Sequence, residues 1–321
     1  MTTIGSVSFE LPVVQAGMGG GLSQHQLAAA VSGAGGLGTV GMTGAGHFES
    51  EIRKARELTS GPIAANLMLP LTRRRHWEIA SAADLVVTFW GRPRRRTART
   101  WLHQCGSIEE AVAAHRAGAD GVIVQGVEAG GHVRGTESAL ALLDSAMSAL
   151  PAGYPVLSAG GLATREDVRE RLEAGATAVV LGTRFLMTEE SRAHTAYKQR
   201  LLEARETVLT ELFGLGWPAP HRVIWNEVTE HWLKSDPRGP SWARVVNRLT
   251  APVAARTPEQ LQAKLLRRQS VALPLLSPQV VTVGMPSRLL DVTPLYAGQS
   301  VARIHDIRPA GELTRELAGA A

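Results

Sequence analysis

PVLSAGGLATREDVRERLEAGATAVVLGTRF, residues 155–185, holds a complete structural unit. An apolar run ends in Ser-Ala-Gly-Gly, and Thr164 with Asp167 three residues on resembles a helix-capping box. An amphipathic stretch then runs to Gly175, and a second apolar run follows. Both apolar runs are continuous rather than alternating, which marks strands covered on both faces, as in a parallel sheet. A strand–helix–strand unit of this kind builds α/β folds.

The same grammar recurs along the chain. Earlier strand candidates are LPVVQAGM (11–18), GLGTVG (36–41), PIAANLML (62–69), DLVVTFW (84–90), RTWLHQC (99–105) and ADGVIVQG (119–126). PVLSAGG (155–161) and ATAVVLGTRF (176–185) complete eight, most of them followed by a helix-like segment. Eight units in series favour a (β/α)8 TIM barrel over an open doubly wound sheet. The connection from strand four to strand five is unusually short and carries Arg92, Arg94, Arg95, Arg96 and Arg99. The grammar breaks near residue 205. Residues 1–204 and 271–321 are therefore expected to form the barrel, with 205–270 a small helical cap inserted after the eighth strand. GELTRELAGAA (311–321) is expected to return as the barrel's last helix.

Composition narrows the function classes. The chain has 321 residues, 44% of them hydrophobic, enough for a sizeable core. A single cysteine, Cys105, excludes an internal disulfide framework and suits a reducing compartment. MTTIGSVSFELPVV lacks the basic segment and apolar core of a signal peptide. No apolar run approaches the ~20 residues of a spanning helix. A soluble, cytoplasmic protein is expected. The net charge of +5 comes largely from Arg73–Arg75 and the Arg92–Arg99 cluster, and aromatics are only 5%, so nucleic acid is not an expected partner.

In a barrel of this class, function sits in the loops after strand C-termini. Here those loops are rich in glycine, which permits close backbone approach. The loops after strands seven and eight, SAGG and GTRF, stand where barrels commonly hold a phosphate on backbone N–H groups; tight turns are the plain alternative. Ala16-Gly17-Met18 and Asn66 could flank a flat ring, with Gln104 and Gln125 at neighbouring strand tips. Together these suit a phosphorylated aromatic cofactor such as FMN. His132 stands in VQGVEAGGHVRG (124–135) among four glycines and is the acid–base candidate, a solvated loop histidine being the alternative. His47 is expected to cap or start the second helix, and His103 to point into packing. No HExxH, paired cysteines or carboxylate cluster at ligand spacing suggests a metal, and there is no G-x-S-x-G. GAGGLG (33–38) leads into a strand rather than following one, so it is not a dinucleotide fingerprint.

PVVQAGMGGG (12–21), NLMLP (66–70), VQGVEAGGH (124–132), PVLSAGGLAT (155–164) and AVVLGTRFLMTEE (178–190), followed by GM and PLYAGQS, resemble the FMN-dependent nitronate monooxygenases, formerly called 2-nitropropane dioxygenases. The resemblance covers nearly the whole chain. It implies FMN at the barrel mouth under a helical cap, with contacts from Ala16, Gly17, Met18, Asn66, Gln104, Gln125, Gly131, Ser158, Gly160, Gly161, Gly182 and Thr183. His132 would be the catalytic base or substrate-orienting residue. Gly284, Met285, Tyr296, Gly298, Gln299 and Ser300 would fold back onto the flavin. The implied reaction takes a nitronate or nitroalkane to a carbonyl compound and nitrite, with O2 as acceptor. Gln104 departs from the pattern, standing where many members carry a lysine. The related FMN-type, NAD(P)H-dependent enoyl-acyl-carrier-protein reductases are the nearest rival, and a non-catalytic flavin-binding subunit is a reading of another class. Homodimer formation stays open. The two arginine clusters are expected on neighbouring loops of the mouth, either as solvated charge or to draw an anionic or carrier-linked substrate.

Overall fold

The computed structural model describes residues 1–254, 269–272 and 277–320. The chain starts with an antiparallel hairpin of Thr2–Ile4 (β1) and Val7–Phe9 (β2). Eight parallel strands follow: Val13–Gln15 (β3), Gly38–Val40 (β4), Ile63–Met68 (β5), Leu85–Phe89 (β6), Thr100–Cys105 (β7), Gly121–Gln125 (β8) and, beyond the short Gly131–His132 (β9), Val156–Ala159 (β10) and Ala178–Leu181 (β11). Each lies within one of the eight apolar runs. The sheet order is β3-β11-β10-β8-β7-β6-β5-β4. A parallel bridge between Val14 and Leu37 joins the two ends, with Gln15 N–H donating to Leu37 O at 3.0 Å and Leu37 N–H to Val13 O at 3.0 Å. The sheet is a closed barrel.

Side chains alternate across each strand, so one parity fills the barrel and the other meets the helices. Val14, Leu37, Ala64, Leu85, Val87, Leu102, Ile123, Leu157, Ala178 and Val180 form the interior. Ile4, Val7 and Phe9 of the hairpin join this cluster and stopper the base, where the Ser6 N–H donates to Thr100 Oγ1.

Helices cover the outside: His25–Gly33 (α1), Ala45–Leu58 (α2), Arg74–Ala80 (α3), Ile108–Arg116 (α4), Ala139–Ala149 (α5) and Arg165–Glu173 (α6). The capping box at α6 is present: Thr164 Oγ1 accepts from Asp167 N–H and the Asp167 carboxylate accepts from Thr164 N–H. Between β6 and β7 there is no helix, only residues 90–99. Short helices Thr183–Leu186 (α7) and Thr195–Glu203 (α8) follow β11.

After α8 the chain forms Val208–Thr210 (β12), His221–Val223 (β13), Glu227–Trp232 (α9) and Ser241–Ala254 (α10). The stretch expected as a helical cap thus contains strands as well as helices, and its residues 255–268 lie outside those described. β12 and β13 pair antiparallel, and β13 pairs with β9, so this segment is stitched to the loop after β8. It has its own small core of Val208, Leu212, Phe213, Val223, Val228, Leu233 and Ala243. The C-terminal helix Ala310–Ala318 (α11) buries Ala310, Leu313 and Leu317 with Leu27 and Val31 of α1, Val168 of α6 and Val13 and Val179 of the sheet. It takes the eighth helix position, as expected from the sequence. Among the described residues no helix is long and apolar enough to cross a membrane.

Candidate active site

The interior parity that fills the barrel also decides which residues emerge at its mouth. Continuing it to the C-terminal tips brings up Ala16, Asn66, Met68, Phe89, Gln104, Gln125, Ala159 and Gly182, and all eight line one cavity of about 1460 Å³. One arc of the mouth is nearly without side chains: Ala159-Gly160-Gly161 after β10, Gly182 after β11 and Ala16-Gly17 after β3. The opposite arc carries Asn66, Phe89, Gln104 and Gln125. Gly17 is required by close approach, since a Cβ there would lie 2.2 Å from Cβ of Asn66. Gly160 adopts φ +110°, where side chains are strained. Among the described residues, no acceptor takes the N–H of Gly160, Gly161, Gly182 or Thr183, which leaves four donors around the bare arc.

The loop after β8 is fixed from several sides. Gln125 uses both ends of its amide on it: Nε2 donates to His132 O at 3.0 Å, and Oε1 accepts from Arg134 N–H at 3.0 Å. Arg222 donates to Val127 O at 2.8 Å, Gln299 N–H donates to Glu128 O at 2.9 Å, and β9 pairs with β13. The Glu128 carboxylate accepts from Ala139 N–H at the start of α5.

His132 itself stacks on Trp217, with ring centroids 3.8 Å apart and planes at 22°. Tyr296 (5.5 Å), His221 (5.7 Å) and Trp90 (6.4 Å) complete an aromatic cage. Its Nε2 is shut off from solvent and has no hydrogen-bond partner among the described residues. Burial, followed by the neighbouring His221, holds the His132 pKa well below the ordinary imidazole value, so the ring is neutral at pH 7. His221 is pushed down to about 4 by burial, opposed by its hydrogen bond to Ala219 O. Phe213 N–H donates to His221 Nε2 at 3.2 Å, which places the His221 proton on Nδ1. The cage therefore offers a rigid, uncharged imidazole rather than a cation.

The remaining sequence expectations separate. Ala16, Gly17, Met18, Asn66, Gln104, Gln125, Gly131, His132, Gly160, Gly161, Gly182, Thr183, Tyr296 and Ser300 all line the cavity, as does Gly298. Ser158 does not. Leu157 and Ala159 hold the interior parity, so Ser158 faces the helices and is fully buried. Gln299 is exposed and contributes its backbone N–H to the Glu128 contact instead. Met285 stands behind the wall, where its sulfur accepts from the N–H and hydroxyl of Thr282, which does line the cavity. His103 is buried against Thr88 at 2.7 Å, as expected. His47 stands in the first turn of α2, at the helix start as expected, rather than at the N-cap, which is Gly44; its Nε2 meets Gln24 at 2.8 Å on the cavity wall.

The arginine clusters divide likewise. Arg73 and Arg75 reach the cavity rim. The Arg92–Arg99 segment does not, because it runs down the barrel's side to the start of β7. There Arg95 pairs with Asp120 at 2.6 Å, Arg96 lies over Trp77, and Arg99 donates to Ser81 O at 2.8 Å. Arg192 also lines the cavity, half-buried; among the described residues its side chain has no partner and no lining residue is an Asp or Glu.

Sequence reading missed Trp217, Trp90, His221 and Arg192. Trp217 stands in GLGWPAPH, whose glycines and prolines mark an irregular loop but not its destination. Trp90 is the one described non-glycine residue with positive φ (63°), a conformation costly for a bulky side chain and common at functional sites. No His/Cys/Asp/Glu group among the described residues could hold a metal ion.

A family model described as nitronate monooxygenase matches residues 2–104 and 94–319. A probable nitronate monooxygenase of Staphylococcus saprophyticus is 33% identical over 308 residues, spanning 77% of this chain and 84% of that protein. Nitroalkane oxidase from Streptomyces ansochromogenes superposes with a TM-score of 0.72 at 30% identity, covering 97% of this chain and 95% of that one. FabK from Thermotoga maritima superposes with a TM-score of 0.73 at 25% identity, covering 97% and 92%.

Proposed function

The chain belongs to the nitronate monooxygenase family, and from that membership we propose that it is an FMN-dependent oxidoreductase converting a nitronate to a carbonyl compound and nitrite, with O2 as acceptor. The observation that carries this reading is the bare arc: four N–H groups without acceptors among the described residues, on glycine-rich strand tips, facing the same cavity as a caged neutral histidine. Such an arc suits a phosphate, which needs convergent donors and no side chains in the way. Gly160, Gly161, Gly182 and Thr183 would hold it, with the Ser300 hydroxyl beside them. Ala16-Gly17-Met18, Asn66 and Gln104 would flank the ring. FMN, when bound, supplies the electron acceptor for the substrate.

The remaining work belongs to the chain's own groups. His132, neutral and held by Gln125 and Trp217, can hydrogen-bond the substrate's nitro oxygens without bringing a charge into the site. Gln104 leaves the polar arc uncharged. Phe89, Trp90 and Trp217 give an aromatic surround that limits water near the imidazole.

The test is anaerobic. After reconstitution with FMN, the purified protein is expected to show the visible flavin bands, to be bleached by a nitronate and to release nitrite once O2 is admitted. Bleaching by NADPH but not by any nitronate would overturn the reaction and favour a reductase. Failure to take up FMN would overturn the cofactor assignment.

A further inference from the structure

The cavity has room for more than one ligand, and the charged residues that line it are cationic. Its volume of about 1460 Å³ exceeds the roughly 300–1,000 Å³ usual for a single small-molecule pocket. Among the described residues its wall carries Arg73, Arg75 and Arg192 and not one Asp or Glu. The position of the first two decides the matter. Around the closed barrel, β5 lies three strands from β11 one way, through β3 and β4, and four from β10 the other way, through β8, β7 and β6. Arg73 and Arg75 follow β5 and so stand across the mouth from the glycines after β10 and β11. One phosphate bound at those glycines cannot also be held by the arginines.

We propose that Arg73 and Arg75 form a second anion site at the rim, which takes the phosphates of a nucleotide-bearing second reactant. This rests on the reading of the glycine arc as the cofactor's phosphate cradle. The shared chemistry is a phosphorylated adenine-nucleotide arm, reaching from the rim towards His132. Two sources provide it: a nitronate carried on CoA as the substrate, or NAD(P)H as an additional reductant of the flavin. Both arginines are exposed at the rim, where Arg75 makes a 3.5 Å contact to the exposed Glu49, and guanidinium forks match phosphate geometry. On the wall between them and β3, His47 and Gln24 meet at 2.8 Å and add polar surface without negative charge.

The test is calorimetric titration of CoA, and separately of NADPH, into the FMN-loaded protein and into an Arg73→Glu/Arg75→Glu variant. At least one of the two is expected to bind the unaltered protein, with affinity reduced about tenfold or more in the variant and weakened by added salt. FMN affinity should be unchanged in the variant, because the cradle lies across the mouth. Arg92→Glu/Arg94→Glu changes the net charge equally but away from the cavity, and is expected to leave nucleotide binding intact. The ligand that binds identifies the source of the arm. Absence of binding by either nucleotide, or equal loss in both double variants, overturns the proposal. If FMN is not taken up, the cradle reading fails by itself, and the same titration of the flavin-free protein still decides whether the arginines bind a nucleotide.

Discussion

His132 shows how a single residue's chemistry depends on neighbours remote in sequence. A loop histidine in water would titrate near pH 6.5. Stacked on Trp217 and enclosed by Tyr296 and Trp90, this one stays neutral well below that value. Trp217→Ala would open one face of the ring to solvent, relieve the desolvation and let the pKa rise towards 6.5. The sign follows directly. In the unaltered enzyme no loss of kcat/KM from His132 protonation is expected between pH 6 and 8. In Trp217→Ala an acid limb should appear near pH 6.5, together with a fall of about tenfold at pH 8 from the loosened imidazole. A profile that keeps its shape, measured on variant shown to retain FMN, would remove Trp217 from this role. Gln125 acts one step further back, as a positioning residue. Its place at a strand tip was readable from the apolar run before it. That its amide, at the cavity wall, clamps the histidine loop was not, since this depends on how the loop folds back.

At the scale of elements, α6 couples the phosphate-suited glycines to the C-terminal tail. Asp167 accepts from the N–H groups of Ala163 and Thr164 and pairs with Arg303 at 2.5 Å; Arg303 also donates to Gly161 O at 2.6 Å. Burial works to raise the Asp167 carboxyl, but the Arg303 hydrogen bond and the two backbone donors outweigh it and hold the group below the usual carboxylate range. Asp167→Ala therefore removes a cap and unties Gly161 together. The expected result is a loss of about 2 kcal/mol in stability and a several-fold weaker grip on FMN. Denaturant melts and flavin titration check the two parts separately, and unaltered FMN affinity would sever the link between α6 and the cradle. The capping box was legible because its signal is local. So were the eight strands, whose continuous apolar runs each exceed what a turn would carry. The hairpin β1–β2 shows the limit: Ile4, Val7 and Phe9 alternate with polar residues as a half-buried strand should, but each arm is only three residues long. β12 and β13 were hidden for another reason. They form a sheet only with β9 in the histidine loop, a pairing set by tertiary contact rather than by local pattern. The Arg92–Arg99 segment was recognised as short, but not as descending the barrel wall, because that path is fixed by ion pairing with Asp120.

Across the whole molecule, buried neutral histidines make stability depend on pH. His103 is 1% exposed, and burial is the main cause lowering it to about 4; His221 is fully buried and lowered to about 4 likewise. His132 is held lower than the ordinary value by the same cause. In the unfolded chain these imidazoles bind protons below pH ~6.5, whereas in the folded protein His103 and His221 do so only near 4, and His132 also only well below its ordinary value. Between those limits the unfolded state takes up more protons, so stability must fall as pH falls. The carboxylates Glu51 and Asp167, held below their ordinary values, contribute stability that is lost only at pH values around 4 and lower. The window from 6.5 to 5 therefore belongs to the histidines. At pH 5 His103 and His221 each withdraw roughly 2 kcal/mol, which corresponds to a drop in Tm of about 5–10 °C from pH 7 for a chain of this size. His103→Asn keeps a polar partner for Thr88, 2.7 Å from the ring, but cannot titrate, so it should be less stable at pH 7 and show a shallower decline towards pH 5. Thermal melts at half-unit steps of pH measure both slopes. A flat Tm from pH 7 to pH 5 in the unaltered protein would mean that these imidazoles are not held neutral by the fold. The uncharged cage around His132 would then lose its physical basis as well.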